Sequence, residues 1–254
     1  MMKTLKTSVL ADGFWRLKAP RWHIGALWVS DTRAGNVFRV DLDGKVTLVA
    51  DVPSRPFGLG FLPDGELLVA SMTKRLILNF ANTKPAIHAD MANVAVGYLR
   101  DMAVARDGNA YVTSFDADAG GCFASAKLLL ARPDGSVRSV AENMAHPNGL
   151  AITSTHELLV AETLGNRLLA FKIEGDGTLL HRKVFANFER MSPLGICADS
   201  EGGGMDCSCS ATAFRPCHAR RPRHAPYSCS GTSCGGASVG RTGWSDALLP
   251  DGRR

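Results

Sequence analysis

The amino-acid sequence predicts an all-β fold built from propeller blades. Three observations carry that prediction: a five-residue motif that returns at near-constant spacing, short strands joined by Asp-Gly turns, and no stretch with the apolar period of a helix. The motif reads Phe57-Gly58-Leu59-Gly60-Phe61, Arg100-Asp101-Met102-Ala103-Val104, Asn148-Gly149-Leu150-Ala151-Ile152 and Leu194-Gly195-Ile196-Cys197-Ala198, at offsets of 43, 48 and 46 residues. An earlier copy starts near Arg21-Trp22. An ordinary β-sandwich is the alternative, but it would leave the repeated motif and its spacing to chance.

The elements follow in order. In the first copy Ala26-Leu27-Trp28-Val29-Ser30 leads to Asn36-Val37-Phe38-Arg39-Val40, then through the turn Asp41-Leu42-Asp43-Gly44 to Val46-Thr47-Leu48-Val49. Later copies show Leu67-Leu68-Val69-Ala70, Ala110-Tyr111-Val112-Thr113 and Leu158-Leu159-Val160-Ala161, with turns Pro63-Asp64-Gly65, Arg106-Asp107-Gly108 and Pro133-Asp134-Gly135. Four strands per unit of about 45 residues describe a propeller blade.

A fifth copy begins at Leu194 and is expected not to finish, so the chain reads as about four and a half blades. Residues 1–205 form the incomplete propeller, and residues 206–254 form a Cys/Arg/Ser/Gly-rich tail in which Val239, Leu248 and Leu249 are the sole Ile, Leu or Val residues. Such a segment cannot bury enough apolar surface to offset its ordering entropy, which predicts disorder. Its composition also resembles a GC-rich coding region read in a shifted frame. A zinc site built from Cys207, Cys209, Cys217, His218, His224, Cys229 and Cys234 is disfavoured, because no Cys-x-x-Cys pair occurs among them.

The net charge of +5 does not point to nucleic acid. Residues 1–205 hold 22 Lys and Arg against 21 Asp and Glu, whereas the tail holds seven Arg against three Asp. The body is near neutral. With no signal-peptide pattern and no apolar run long enough to span a bilayer, the expectation is a cytoplasmic protein without membrane or nucleic-acid partners. Unpaired blade edges would favour non-native self-association.

Pro20-Arg21-Trp22-His23, Gly25-Ala26-Leu27-Trp28-Val29-Ser30-Asp31, the run from Arg55 to Gly65, His146-Pro147-Asn148-Gly149-Leu150-Ala151-Ile152 and Val160-Ala161-Glu162-Thr163 together resemble the SMP-30/gluconolactonase family. The resemblance runs from about residue 12 to about residue 203. It implies a six-bladed propeller with one divalent cation, calcium or zinc, at the axis, assisting hydrolysis of a sugar lactone. In a propeller the first strand of each blade lines the central channel, so the heads of the pentads share one cup. These heads are Phe57, Arg100, Asn148 and Leu194, with Lys18 at the comparable place in the first copy.

For lactone opening the cup should offer oxygen ligands to a cation that polarises the carbonyl. The resemblance implies a Glu, two Asn and an Asp at four places that here read Lys18, Arg100, Asn148 and Leu194. Asn148 is the one candidate metal ligand that remains, and Lys18 and Arg100 become candidate substrate-binding cations. A divalent ion about 6 Å from one fixed positive charge is opposed by on the order of 5 kcal/mol at an effective dielectric near 20. No catalytic residue is assigned, no cation is expected to bind, and the chain reads as an inactive member. A metal-free propeller holding a sugar acid or similar anion in its cup is the alternative.

A family Arg that contacts substrate is replaced by Tyr98, which weakens sugar-acid recognition. Plainer readings stand beside these. Asn148 suits a Pro-Asn-Gly turn, Lys18 and Arg100 suit side chains snorkelling to water, His23 and His146 suit turn caps or packing, and Glu162 suits an exposed strand end. No Gly-x-Ser-x-Gly elbow or His-Glu-x-x-His helix is present.

Overall fold

Each complete copy of the repeat folds as a four-stranded antiparallel sheet whose inner strand carries the pentad. The computed structural model describes residues 8–81, 84–116, 126–189 and 192–198, and the backbone alone of Thr4–Leu5, Gly204–Ser208, Ala213–Cys217, Tyr227–Cys229 and Ala237–Gly240. The first blade comprises Leu17–His23, Ala26–Asp31, Asn36–Asp41 and Val46–Asp51. The second comprises Pro56–Phe61, Leu67–Ser71, Leu76–Asn79 and Ala86–Asp90. Tyr98–Val104, Ala110–Phe115, Lys127–Ala131 and Val137–Ala141 make the third. The fourth contains Pro147–Ile152, Glu157–Glu162, Arg167–Ile173 and Leu179–Asn187.

The inner strands neighbour one another in chain order, from Leu17–His23 round to Pro193–Ala198. That adjacency makes a propeller. The turns behave as their sequences require: Gly44, Gly65, Gly108 and Gly135 all take positive φ, between 82° and 92°, at the Asp-Gly corners.

The core lies between blades rather than inside any one of them. Val37, Leu59, Leu67 and Val69 join the first blade to the second. Leu68, Ile77, Met102, Val112 and Leu129 join the second to the third. Tyr111, Leu128, Leu158, Val160 and Phe171 join the third to the fourth, and Leu159, Leu168 and Ile196 join the fourth to the fifth inner strand. A propeller sheet has two apolar faces for this reason, and its middle strands read as apolar runs such as Leu67-Leu68-Val69-Ala70.

Two features differ from the sequence expectation. The flank of the first blade, which the repeat pattern leaves open, is covered by the strand Val9–Phe14, whose Leu10, Ala11 and Phe14 pack on Leu27, Val29 and Val40. That strand pairs in turn with Ala237–Gly240. Beyond the fifth inner strand, the backbone of Gly204–Ser208, Ala213–Cys217, Tyr227–Cys229 and Thr4–Leu5 continues the sheet. Ladder hydrogen bonds use backbone groups and do not need the apolar side chains on which the sequence argument turned. Most of residues 206–254, with the disorder and reading-frame expectations attached to them, lie outside the described residues.

Close approach of the inner strands explains two pentad glycines. A Cβ at Gly58 would sit 2.6 Å from the Arg100 carbonyl oxygen, and one at Gly149 would sit 2.5 Å from that of Leu194. Each strand therefore lies flush against the next.

Candidate functional site at the channel

The pentad heads are aimed by the same local device in the second, third and fourth blades. The chain reaches the inner strand through a left-handed residue, Arg55 at φ 63°, Gly97 at 64° and His146 at 59°. The ladder then slips by a bulge that spans Phe57-Gly58, Arg100-Asp101 and Asn148-Gly149. Such bulges re-aim side chains. In the first blade the slip follows Lys18, which pairs with Ser30.

A polar residue at or next to the end of each second strand fixes the segment that leads into its own inner strand. Asp31 accepts N–H bonds from Trp15, Arg16, Arg33 and Ala34 at 2.6 to 3.1 Å. Burial would raise its carboxyl, but these four donors outweigh burial and hold it below the usual aspartate range. Ser71 pairs with Ser54 at 2.6 Å, and Ser114 bonds both the N–H and the carbonyl of Val96. Glu162 does the same for the fourth blade by accepting from the Ala145 N–H at 2.8 Å.

Glu162 corrects the sequence expectation of an exposed strand end, because it is 0% exposed and held by Arg167 and Arg182. Its cations come from the two strands that follow. Asn148 is also corrected: it lies within the strand Pro147–Ile152 and not in a turn. The unusual φ of the Pro-Asn-Gly segment belongs to His146. The Asn148 amide donates to Thr163 Oγ1 at 2.9 Å and lies 3.4 Å from His146 Nδ1.

Arg100 is half-buried and packs on two rings that the sequence did not foretell. Its guanidinium carbon lies 4.4 Å from the centre of the Phe115 ring and 5.3 Å from that of Phe57. Its Nε is buried without a hydrogen-bond partner, and no hydrogen bond or ion pair forms on its guanidinium among the described residues. Burial and the nearby charge of Arg16 both press its pKa downward, with Tyr98 opposing. His146 packs its ring 3.8 Å from that of Phe115, and burial and the charge of Arg100 lower its pKa as well. His23, the other histidine next to a cup motif, stacks on Phe61 at 3.6 Å as packing.

Below the heads, Arg21 and Asp101 form the main ion pair of the channel. Arg21 Nη2 donates to Asp101 Oδ1 and to the Met102 carbonyl, both at 2.6 Å, while Asp101 Oδ2 accepts from the Leu150 N–H at 3.0 Å. Both carboxylate oxygens are thus engaged. Both residues stand in repeat motifs, but nothing in either segment marks the other as its partner.

Sheets ranged around one axis, with side chains of successive inner strands meeting in a shared cup, define a propeller that presents its site at the channel. Residues 18–216 match the SMP-30/Gluconolactonase/LRE-like region, and the chain belongs to that family. Its structure is similar to that of a gluconolactonase from Xanthomonas campestris, with 24% identity and a TM-score of 0.71 over 88% of this chain and 80% of that one. It is similar also to regucalcin, a calcium-binding protein from Agrobacterium tumefaciens, with 15% identity and a TM-score of 0.76 over 91% and 81%. A luciferin-regenerating enzyme matches at 16% identity and a TM-score of 0.71 over 85% and 76%. These likenesses are of fold. Comparison with curated proteins gives no match.

Proposed function

We propose that this chain is a member of a lactone-hydrolase family that binds a small anion in its cup and does not hydrolyse lactones. Gluconolactonase-type hydrolysis is the activity the family suggests, and regucalcin in that fold binds calcium. A divalent cation needs several oxygen donors. Of the four head positions considered above, Asn148 alone offers a neutral oxygen, Leu194 offers none, and Lys18 and Arg100 bring positive charge. Asp101 is spent on Arg21 and Leu150. Such a donor set does not suit calcium or zinc.

The observation that carries the reading is Arg100. A cation drawn against two aromatic rings, with a buried Nε and no counter-ion among the described residues, is a binding group waiting for an anion. Lys18 lies on the first inner strand, at the last paired position before its bulge. The family makes a sugar acid the first candidate, as the product of lactone opening.

Two measurements test this. Opening of gluconolactone with calcium, zinc or manganese should not exceed the buffer rate, and calorimetry over a series of small carboxylates should find binding that Arg100→Ala weakens at least about tenfold. Metal-stimulated lactone opening that is lost in Asn148→Ala would overturn the proposal.

A further inference from the structure

The first inner strand is tied to the third across the channel by Arg21 and Asp101, and the tie draws the entrance of the first blade toward Arg100. Arg100 directly precedes Asp101 on its strand, and Arg16 lies just ahead of the strand Leu17–His23 that carries Arg21. A second route leads to the same place. Ser30 Oγ donates to the Phe57 carbonyl at 2.8 Å, the Phe57 ring packs on the Arg100 guanidinium, and Asp31, next to Ser30, holds Arg16.

Arg16 is held by its backbone and open at its tip. Its N–H donates to Asp31 Oδ1 at 3.1 Å, and its carbonyl accepts from the Thr32 N–H at 3.0 Å and from Thr32 Oγ1 at 3.2 Å. The side chain is exposed, and its guanidinium makes no hydrogen bond or ion pair among the described residues. The neighbouring carboxylate, Asp31, is buried and turned onto four backbone N–H groups. Arg33, the other cation of that corner, lies over the Trp15 ring at 4.7 Å. Two guanidiniums kept within reach of each other's charge repel, and the repulsion is felt at Arg100. An anion that meets both converts that repulsion into attraction.

The number of charges then selects the anion. A carboxylate has two oxygens, and a single guanidinium fork satisfies both. A phosphate monoester carries close to two charges at neutral pH and three strong acceptor oxygens, so it can use a second fork. We infer that Arg16 is a second anion-binding residue beside Arg100, and that the cup takes a phosphate monoester in preference to a monocarboxylate. This rests on the reading that Arg100 is the anion site, to which it adds a residue and a ligand class.

The test is calorimetry on the full chain at pH 8 with methyl phosphate, acetate and succinate. Methyl phosphate is expected to bind at least about tenfold more tightly than acetate, with succinate between them. Arg16→Gln, a change at an exposed side chain, should weaken methyl phosphate at least about tenfold and acetate by less than about twofold. Arg100→Ala should weaken both. Methyl phosphate binding no more tightly than acetate, or an equal loss of the two in Arg16→Gln, would overturn the role of Arg16 while leaving Arg100 as an anion site. Succinate matching methyl phosphate, and falling with it in Arg16→Gln, would overturn the phosphate class in favour of two separated charges. No binding of any of these anions, or binding untouched by Arg100→Ala, would overturn the anion site itself.

Discussion

Glu162 and Arg100 are both charged side chains drawn into the propeller near the start of an inner strand, yet the protein treats them in opposite ways. Glu162 is fully buried and receives Arg167, Arg182 and the Ala145 N–H. Arg182 also donates to the carbonyls of Glu142 and Asn143, so the cluster fixes the whole segment that leads to Asn148. Arg100 receives two phenyl rings and no anion among the described residues. Charge is neutralised where it holds the frame and left open where the frame presents a cup.

The contrast is sharpest in stability. Glu162→Ala should cost about 3 kcal/mol in urea unfolding, because it strands two partly exposed arginines and a buried N–H. A loss under about 1 kcal/mol would mean that the cluster does not hold the frame.

Asp31 tests the same rule with backbone donors in place of arginines. Asp31→Asn should cost about 1.5 kcal/mol at pH 7, since one of two accepting oxygens becomes a donor, facing either the Trp15 N–H bonded to Oδ2 or the three N–H groups bonded to Oδ1. The carboxyl is depressed in the folded protein, so its ionisation adds stability above the ordinary aspartate value of about 3.9. That contribution is lost as pH falls through the lower folded value. Unfolding measured from pH 7 to pH 3 should therefore show the difference between parent and variant shrinking below about pH 4. A difference that stays constant would remove the carboxylate from the account.

Arg100→Met should have the smallest effect on stability. Removing a cation that has no counter-ion among the described residues is expected to change unfolding by no more than about 0.5 kcal/mol, and in the stabilising direction if at all. A loss comparable to that of Glu162→Ala, seen by thermal melting, would make Arg100 a structural residue and dissolve the comparison.

What the sequence revealed divides along the same line. The blades were legible because everything that defines them is local: the pentad, the Asp-Gly corner and the second-strand run lie within some fifteen residues of one another, and the first-blade strands fall within two residues of their expected bounds. The pentad also located the cup, since its head coincides with the bulge in the second, third and fourth blades. The surroundings of the heads were not legible. The rings on Arg100 come from Phe57 in the preceding blade and from Phe115 fifteen residues on, and neither carries a mark of that role in its own segment. Glu162 was misread for a similar reason, because Arg167 opens the next strand and Arg182 lies on the exposed outer strand twenty residues on, with nothing in either segment pointing to Glu162. Asn148 was misread through Pro-Asn-Gly, a turn signature that here enters a strand after the left-handed step has been taken by His146.

The ion pair of Arg21 with Asp101 bears on how this architecture changes over evolutionary time. Propellers are arrays of like units, and arrays readily gain or lose a unit because each touches only its neighbours. Arg21 stands on the first inner strand and Asp101 on the third, with the whole of the second blade between them in the chain. Deleting or duplicating that blade would carry Asp101 one step around the axis and leave both charges alone in the channel. The pair therefore counts blades, and it fixes at one the number that this segment of the ring can contain between the two charges.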